Sequence, residues 1–311
     1  ENYKTYDYTP GISTSPVVMG SAVKGASHIV GYNTGALKIG EIRKDDCLIL
    51  PSTLPKCSWK YLGTLNDITA LKQSSNTYQY HTAIRVGKGS YSYNKALKLD
   101  LSAYKIYRNT FAEFGLGIKT GIDLPIESEG FKGKSGTPSL LLDFAIGQYD
   151  SYTPIQMTQY INTIANNGYR LQLHFLKAVY EPTDIPLTNL SYEFETNILN
   201  KVNTLDIYIQ RVKQGFKSVM ETNGTGVGYI NSKAGKTGTS QSIIDTNNDG
   251  YVDTMVLNHT FVSYAPYDDP KVTFTVISPN IFNYKGKSNS RNYVNMKISR
   301  AISKKFFEIY K

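Results

Sequence analysis

Ser21 and Lys24 stand three positions apart in "MGSAVKGAS", a spacing that puts both side chains on one face of a helix with Cβ atoms about 5–6 Å apart. A serine hydroxyl becomes a nucleophile only when a base touches it. Lysine can be that base once burial disfavours its ammonium form. The start of a helix adds unpaired backbone N–H groups and the positive end of the dipole, and Gly20 removes a side chain where a substrate carbonyl must approach. Such a pair supports acyl transfer through a serine ester, which also needs a proton path and an oxyanion hole.

The pattern S-x-x-K alone is weak, because it recurs at Ser92–Lys95 and Ser102–Lys105. S-x-N occurs at Ser74–Asn76 and Ser92–Asn94, and K-T-G at Lys119–Gly121 and Lys236–Gly238. Context separates the copies. Ser21 opens an apolar segment, Ser74 interrupts a helical one, and Lys236 lies on a strand that continues as "TSQSI". The copies at 92–95 fall in a polar loop, and the one at 119 in a Gly/Pro loop.

The elements that must hold these residues follow from periodicity. Residues 1–18 read as polar and turn-rich, and residues 21–30 as a short buried helix. "DCLIL" and "CSWKYL" read as a hairpin over 46–62 with its turn at "PSTLPK". Asn66 is placed as an N-cap, with Ile68, Leu71 and Tyr78 in helical phase around the "SSN" break. Residues 114–125 form a glycine-rich loop. Thr153 caps a helix whose first turn holds Pro154 and which Gly168 ends. A further helix runs over 205–220. "AGKTGTSQSI", "HTFVSYA" and "VTFTVIS" are three strands, with a hairpin turn at the Asp-Gly of "DTNNDGYVDT", and an amphipathic helix closes the chain. Antiparallel strands with helices packed on them make an α+β architecture of mixed layers.

The 311 residues carry 40% hydrophobic and 19% charged side chains, a globular composition, and a formal net charge of +9. That charge suits an anionic neighbourhood such as a cell wall or membrane surface. The basic residues are scattered and lack interleaved stacking aromatics, so nucleic acid is not an expected partner.

S-x-x-K, S-x-N and K-T-G in this order are the signature set of serine β-lactamases and penicillin-binding proteins. The chain resembles the transpeptidase domain of a class B, monofunctional penicillin-binding protein. The likeness extends through "LKQSSNTY", "FGLGIKTGIDLP", "GQYDSYTPIQMTQYINTIANNGYR", "KTGTSQS" and "FVSYAPYDDPKVTFTVISPN". It implies a β-lactamase/transpeptidase-like fold: a central antiparallel sheet flanked by helices, with a helical subdomain carrying the nucleophile helix. It also implies one transpeptidase domain over 1–311, with the family's N-terminal anchor and pedestal domain outside this chain.

By the same resemblance Ser21 is the acylated nucleophile, Lys24 its base and Ser74 a proton relay. Asn76 binds the substrate backbone, while Lys236, Thr237 and Thr239 hold its terminal carboxylate and Gly238 lets the strand approach. The backbone N–H groups of Ser21 and Thr239 form the oxyanion hole. The implied activity is DD-transpeptidation of peptidoglycan stem peptides, trapped covalently by β-lactams and needing no cofactor. A membrane glycosyltransferase is the implied partner, and the extracytoplasmic face of a bacterial membrane the implied location. Two strands are expected before the nucleophile helix, and residues 1–18 show no strand pattern.

Two alternatives share the motifs. A serine β-lactamase would also need a group that activates water, for which Glu193 and Asn197 have the spacing, although they sit in a strand-like stretch. A β-lactam sensor domain would acylate without turnover. Cys47 and Cys57 fit two free thiols, a disulfide across the expected hairpin, or a structural zinc site together with His28 and His81. Asp245, Asn247, Asp249 and Asp253 mimic a calcium loop, but Val256 stands where its last ligand belongs, favouring a turn.

Overall fold

The computed structural model describes residues 8–310 apart from 135, 183, 184, 186, 230–232, 246, 248 and 282–293. A helix α1 (Tyr8–Thr14) and a short strand β1 (Val17–Val18) lead to a 3₁₀ turn, Gly20–Val23, which runs on into α2 (Lys24–Asn33). Strands β2 (Arg43–Lys44) and β3 (Thr64–Leu65) pair and pinch off the loop between them. Helices α3 (Asp67–Lys72) and α4 (Asn76–Val86) are separated by a tight turn, and α5 (Ala103–Glu113), α6 (Pro138–Ala145), β4 (Ser151–Tyr152) and α7 (Pro154–Ala165) follow. Strand β5 (Tyr169–Leu171) pairs with β8 (Ile198–Lys201), and β6 (Ala178–Tyr180) with β7 (Leu190–Glu193), making one long antiparallel excursion. Helix α8 (Asp206–Met220), strands β9 (Ala234–Ile244), β10 (Thr254–Ala265) and β11 (Val272–Ile281), and helix α9 (Val294–Ile309) complete the described chain.

The principal sheet is antiparallel in the order β11-β10-β9, against which α7, α8 and α9 pack. Alternation along β10 sends successive side chains to opposite faces: Val262 and Tyr264 join the main core, while Phe261 joins Phe274 and Val276 in a second, smaller cluster. The mixed fold of sheet and flanking helices is the one expected.

Helix α2 is buried along almost its whole length, the signature of a helix at the centre of a core rather than at its surface. Its polar members are therefore paired: Ser27 Oγ donates to Ala145 O at 2.7 Å, and His28 bonds the carbonyls of Lys24 and Asp67. Helix α7 begins at a capping box between Thr153 and Gln156. Gly168, at φ 91°, closes its far end through a bond from its N–H to Thr163 O.

Several expectations change. Residues 8–14 form a helix, with Pro10 tolerated in its first turn. The strand after it, β1, pairs with β4 rather than with the principal sheet. The residues expected as a hairpin over 46–62 are mostly irregular, held by one backbone bridge between Leu48 and Lys56. The nucleophile segment starts as a tight 3₁₀ turn and becomes α-helical only at Lys24. Helices α5 and α6 were not expected at all. Glu193 does lie on a strand, as its alternation indicates.

Candidate active site

Three segments bring the motifs together. The edge strand β9 runs alongside the 3₁₀ turn that carries Ser21, and the turn between α3 and α4 carries Ser74. The approach of β9 is backbone to backbone. A Cβ on Gly238 would lie 2.3 Å from Met19 O and 2.9 Å from Ala22 N. A Cβ on Gly20, whose φ is 56°, would lie 2.4 Å from Thr239 O and 3.0 Å from Thr239 N. Gly20 N–H in turn bonds Gly147 O at 2.9 Å. Only glycine fits this seam. It sets the backbones at Ser21 and Thr239 side by side.

Ser21, Ser74, Asn76, Thr237, Gly238 and Thr239 all line one cleft of about 1250 Å³. Lys24 and Lys236 lie beneath it with no exposed surface. Lys24 Nζ donates to Ser74 O at 2.8 Å and to Asn76 Oδ1 at 2.6 Å. Lys236 Nζ donates to the Ser74 hydroxyl at 2.8 Å and to Thr237 O at 2.7 Å. Ser74 itself adopts φ 57°, a left-handed conformation uncommon outside glycine, and so presents its carbonyl to one lysine and its hydroxyl to the other.

Burial pulls both lysines toward the uncharged form. For Lys24 desolvation dominates and the neighbouring Lys236 charge adds to it, with Asp45 opposing, so its pKa lies well below the ordinary lysine value. Desolvation brings Lys236 down to about 7. An uncharged amine has two hydrogens and one lone pair. The two hydrogens of Lys24 are taken by Ser74 O and Asn76 Oδ1, which leaves the lone pair for a hydroxyl on the neighbouring turn. This arrangement can take a proton from Ser21, and the Ser74 hydroxyl, bonded to the second lysine, can pass one on. Thr237 Oγ1 donates to Thr225 Oγ1 at 2.9 Å, and Thr237, Gly238 and Thr239 line the cleft.

The expected zinc site is not formed. Cys47 and Cys57 are joined in a disulfide, so neither offers a thiolate. His28 is buried in the core, its ring nitrogens bonded to two carbonyls and to Gln79, and burial lowers its pKa to about 4. His81 instead packs edge-on to Tyr91. Among the described residues no group of three or more metal-ligating side chains occurs. In the calcium-like stretch, Asp245 accepts backbone N–H groups of Asn247 and Gly250, and Asp249 that of Tyr251, making a turn. The other copies of the motifs, at 92–95, 102–105 and 119–121, lie away from the cleft.

Sequence reasoning missed the residues that hold the S-x-N turn. Asp45, 3% exposed, accepts hydrogen bonds from Ser58, Ser75 and Thr77 side chains and from Leu62 N. Asn76 Nδ2 donates to Cys57 O at 3.1 Å, and Asn76 N to Ser58 Oγ at 2.9 Å. Lys56 and Asp143 form an ion pair of 2.7 Å on the cleft wall. The one available signal was the acidic pair Asp45-Asp46, set between Arg43-Lys44 and the apolar run that follows Cys47.

Comparison with known proteins agrees with this geometry. The family model described as penicillin binding protein transpeptidase domain matches residues 1–303. Penicillin-binding protein 2A of Bacillus subtilis is 42% identical over 314 residues, covering 99% of this chain and 43% of that protein. A Haemophilus influenzae protein named peptidoglycan D,D-transpeptidase is 28% identical over 263 residues, 75% of this chain and 36% of its own. The solved structure of penicillin-binding protein 2B from Streptococcus pneumoniae superposes with a TM-score of 0.85 at 32% identity, over 97% of this chain and 49% of that one. The chain thus spans less than half the length of these curated relatives. With three motifs converging on one glycine-lined cleft, and with these relatives, the chain belongs to the penicillin-binding protein transpeptidase family.

Proposed function

We propose that this chain is the acyl-transfer domain of a class B DD-transpeptidase, which cross-links peptidoglycan stem peptides through an ester on Ser21. Lys24 takes the Ser21 hydroxyl proton as Oγ attacks the penultimate D-Ala carbonyl. The developing oxyanion is held by the N–H groups of Ser21 and Thr239. Ser74 then delivers a proton to the departing D-Ala nitrogen and is reprotonated at the expense of the Lys24 ammonium. An amine of a second stem peptide attacks the ester and gives its proton to Lys24, which returns it to Ser21 Oγ as the ester bond breaks. Lys236, Thr237 and Thr239 bind the terminal carboxylate of the donor, while Asn76 orients its amide. A β-lactam enters the same path, but its amine stays tethered and blocks the acceptor. The protein works on the extracytoplasmic face of a bacterial membrane beside a glycosyltransferase, held by an anchor outside this sequence.

The observation that carries this reading is Ser74 lying between two buried lysines, with its carbonyl on Lys24 and its hydroxyl on Lys236. Among the described residues lining the cleft the carboxylate is Asp143, paired with Lys56, and Glu193 is exposed on β7. Neither is arranged to activate water, which favours a transpeptidase over a β-lactamase. Intact-mass measurement after exposure to benzylpenicillin is the test. A stable single adduct, absent in Ser21→Ala, is expected. Rapid loss of the adduct with drug hydrolysis would favour the β-lactamase, and no adduct would end the reading.

A further inference from the structure

We propose that the Cys47–Cys57 disulfide is a positioning device for catalysis, holding the Cys57 carbonyl where it fixes which end of the Asn76 amide faces Lys24. The inference rests on the acylation chemistry proposed for Ser21.

An asparagine amide can present oxygen or nitrogen, and its hydrogen-bond partners decide which. Here Nδ2 donates to Cys57 O at 3.1 Å and Oδ1 accepts from Lys24 Nζ at 2.6 Å. Turned over, Asn76 would aim N–H groups at the Lys24 nitrogen and occupy the lone pair that must receive the Ser21 proton. Everything therefore depends on an acceptor standing at the position of Cys57 O. That carbonyl sits in a loop with no sheet of its own, whose residues 51–55 are exposed. The loop is tied by two backbone bonds between Leu48 and Lys56, each 2.9 Å, and by the disulfide one residue beyond them on either side. Ser58, next along, accepts from Asn76 N and donates to Asp45, so the loop clasps the S-x-N turn through consecutive residues. The charged and titratable groups facing Lys24 are Lys236 from β9, Asp45 from the loop and His28 one helical turn on.

The test is a Cys47→Ala/Cys57→Ala double variant, followed by the second-order rate of acylation by a fluorescent penicillin across pH, alongside its thermal midpoint. A hydrogen bond to an ionisable group supports an effect on the order of tenfold on the plateau rate. The acid limb should also move to lower pH, because losing the Oδ1 acceptor disfavours the Lys24 ammonium. A purely structural disulfide would lower the midpoint and leave the folded variant's rate and pH profile unchanged, which would overturn the proposal. If the double variant does not fold, reversible reduction of the native protein by a water-soluble phosphine decides. The rate must fall on reduction and return on reoxidation, and an unaltered rate with two titratable thiols would overturn the idea. Failure of the native protein to label at all would count instead against the function proposed above.

Discussion

Lys236 Nζ donates to the Ser74 hydroxyl at 2.8 Å, so the lysine proposed to hold the substrate's carboxylate is bonded directly to the serine proposed to relay the proton. Lys24 reaches the same residue through its carbonyl. One residue in a left-handed conformation thus keeps both amines in register, and each can be tested apart from the other.

Lys24→Ala removes the proposed base together with its bonds to Ser74 O and Asn76 Oδ1. General-base catalysis contributes about 10²–10⁴-fold, so acylation of Ser21 by penicillin should fall by about 10³-fold. Stopped-flow labelling measures it, and a loss under tenfold would reassign the base.

The pH profile of acylation should be bell-shaped. The rise reports deprotonation of Lys24, and the fall reports loss of the Lys236 charge, with that limb at about 7. Stability moves the other way. The Lys236 pKa in the folded protein lies below its unfolded value, so the unfolded chain binds more protons between about 7 and 10.5 and stability rises with pH across that window. Lys236→Met should therefore raise the thermal midpoint, more at pH 7 than at pH 10, while abolishing the basic limb. Equal midpoint shifts at both pH values would contradict this.

Gly238→Ala places a methyl 2.3 Å from Met19 O, a backbone atom that cannot turn aside. The strand must move off the nucleophile turn, at a cost of about 1–3 kcal/mol typical of overpacking. Thermal unfolding and penicillin labelling should both suffer. A variant with native stability and native labelling would show that the seam opens easily.

Asp45→Ala leaves the hydroxyls of Ser58, Ser75 and Thr77 and the N–H of Leu62 without their acceptor. Buried donors left unpaired cost about 1–3 kcal/mol each when no water reaches them, and local relaxation should hold the total to about 3 kcal/mol. Urea unfolding should show a lower midpoint at an unchanged slope. A midpoint within experimental error of the native one would mean that solvent replaces the carboxylate.

Elements bounded by strong caps or turns were legible because each announces itself locally. Thr153-Pro154 and Gly168 bracket α7, Asn66 caps α3, and the Asp-Gly turn separates β9 from β10. Helix α6 carries the same Thr-Pro opening at Thr137 and Pro138 and could have been read in the same way. Helix α5 was harder. Its buried face is Tyr104, Tyr107 and Phe111, and tyrosine, apolar in body and polar at its tip, blurs the contrast that periodicity needs. The clasp around Asn76 was illegible for a different reason. Cys57 contributes a carbonyl, and a backbone acceptor leaves no trace in residue types. Four cysteines and histidines looked like a metal set only because sequence hides that His28 lies in the core and that the sulfurs are already spent on each other.

The glycine seam between β9 and the nucleophile turn narrows how this enzyme can change under antibiotic pressure. Neither Gly20 nor Gly238 can be exchanged without prising the acylation apparatus apart. If the proposed acylation holds, substitutions that hinder an inhibitor while keeping the seam intact are expected at exposed lining positions such as Leu54 and Trp59, where a new side chain meets no packed backbone.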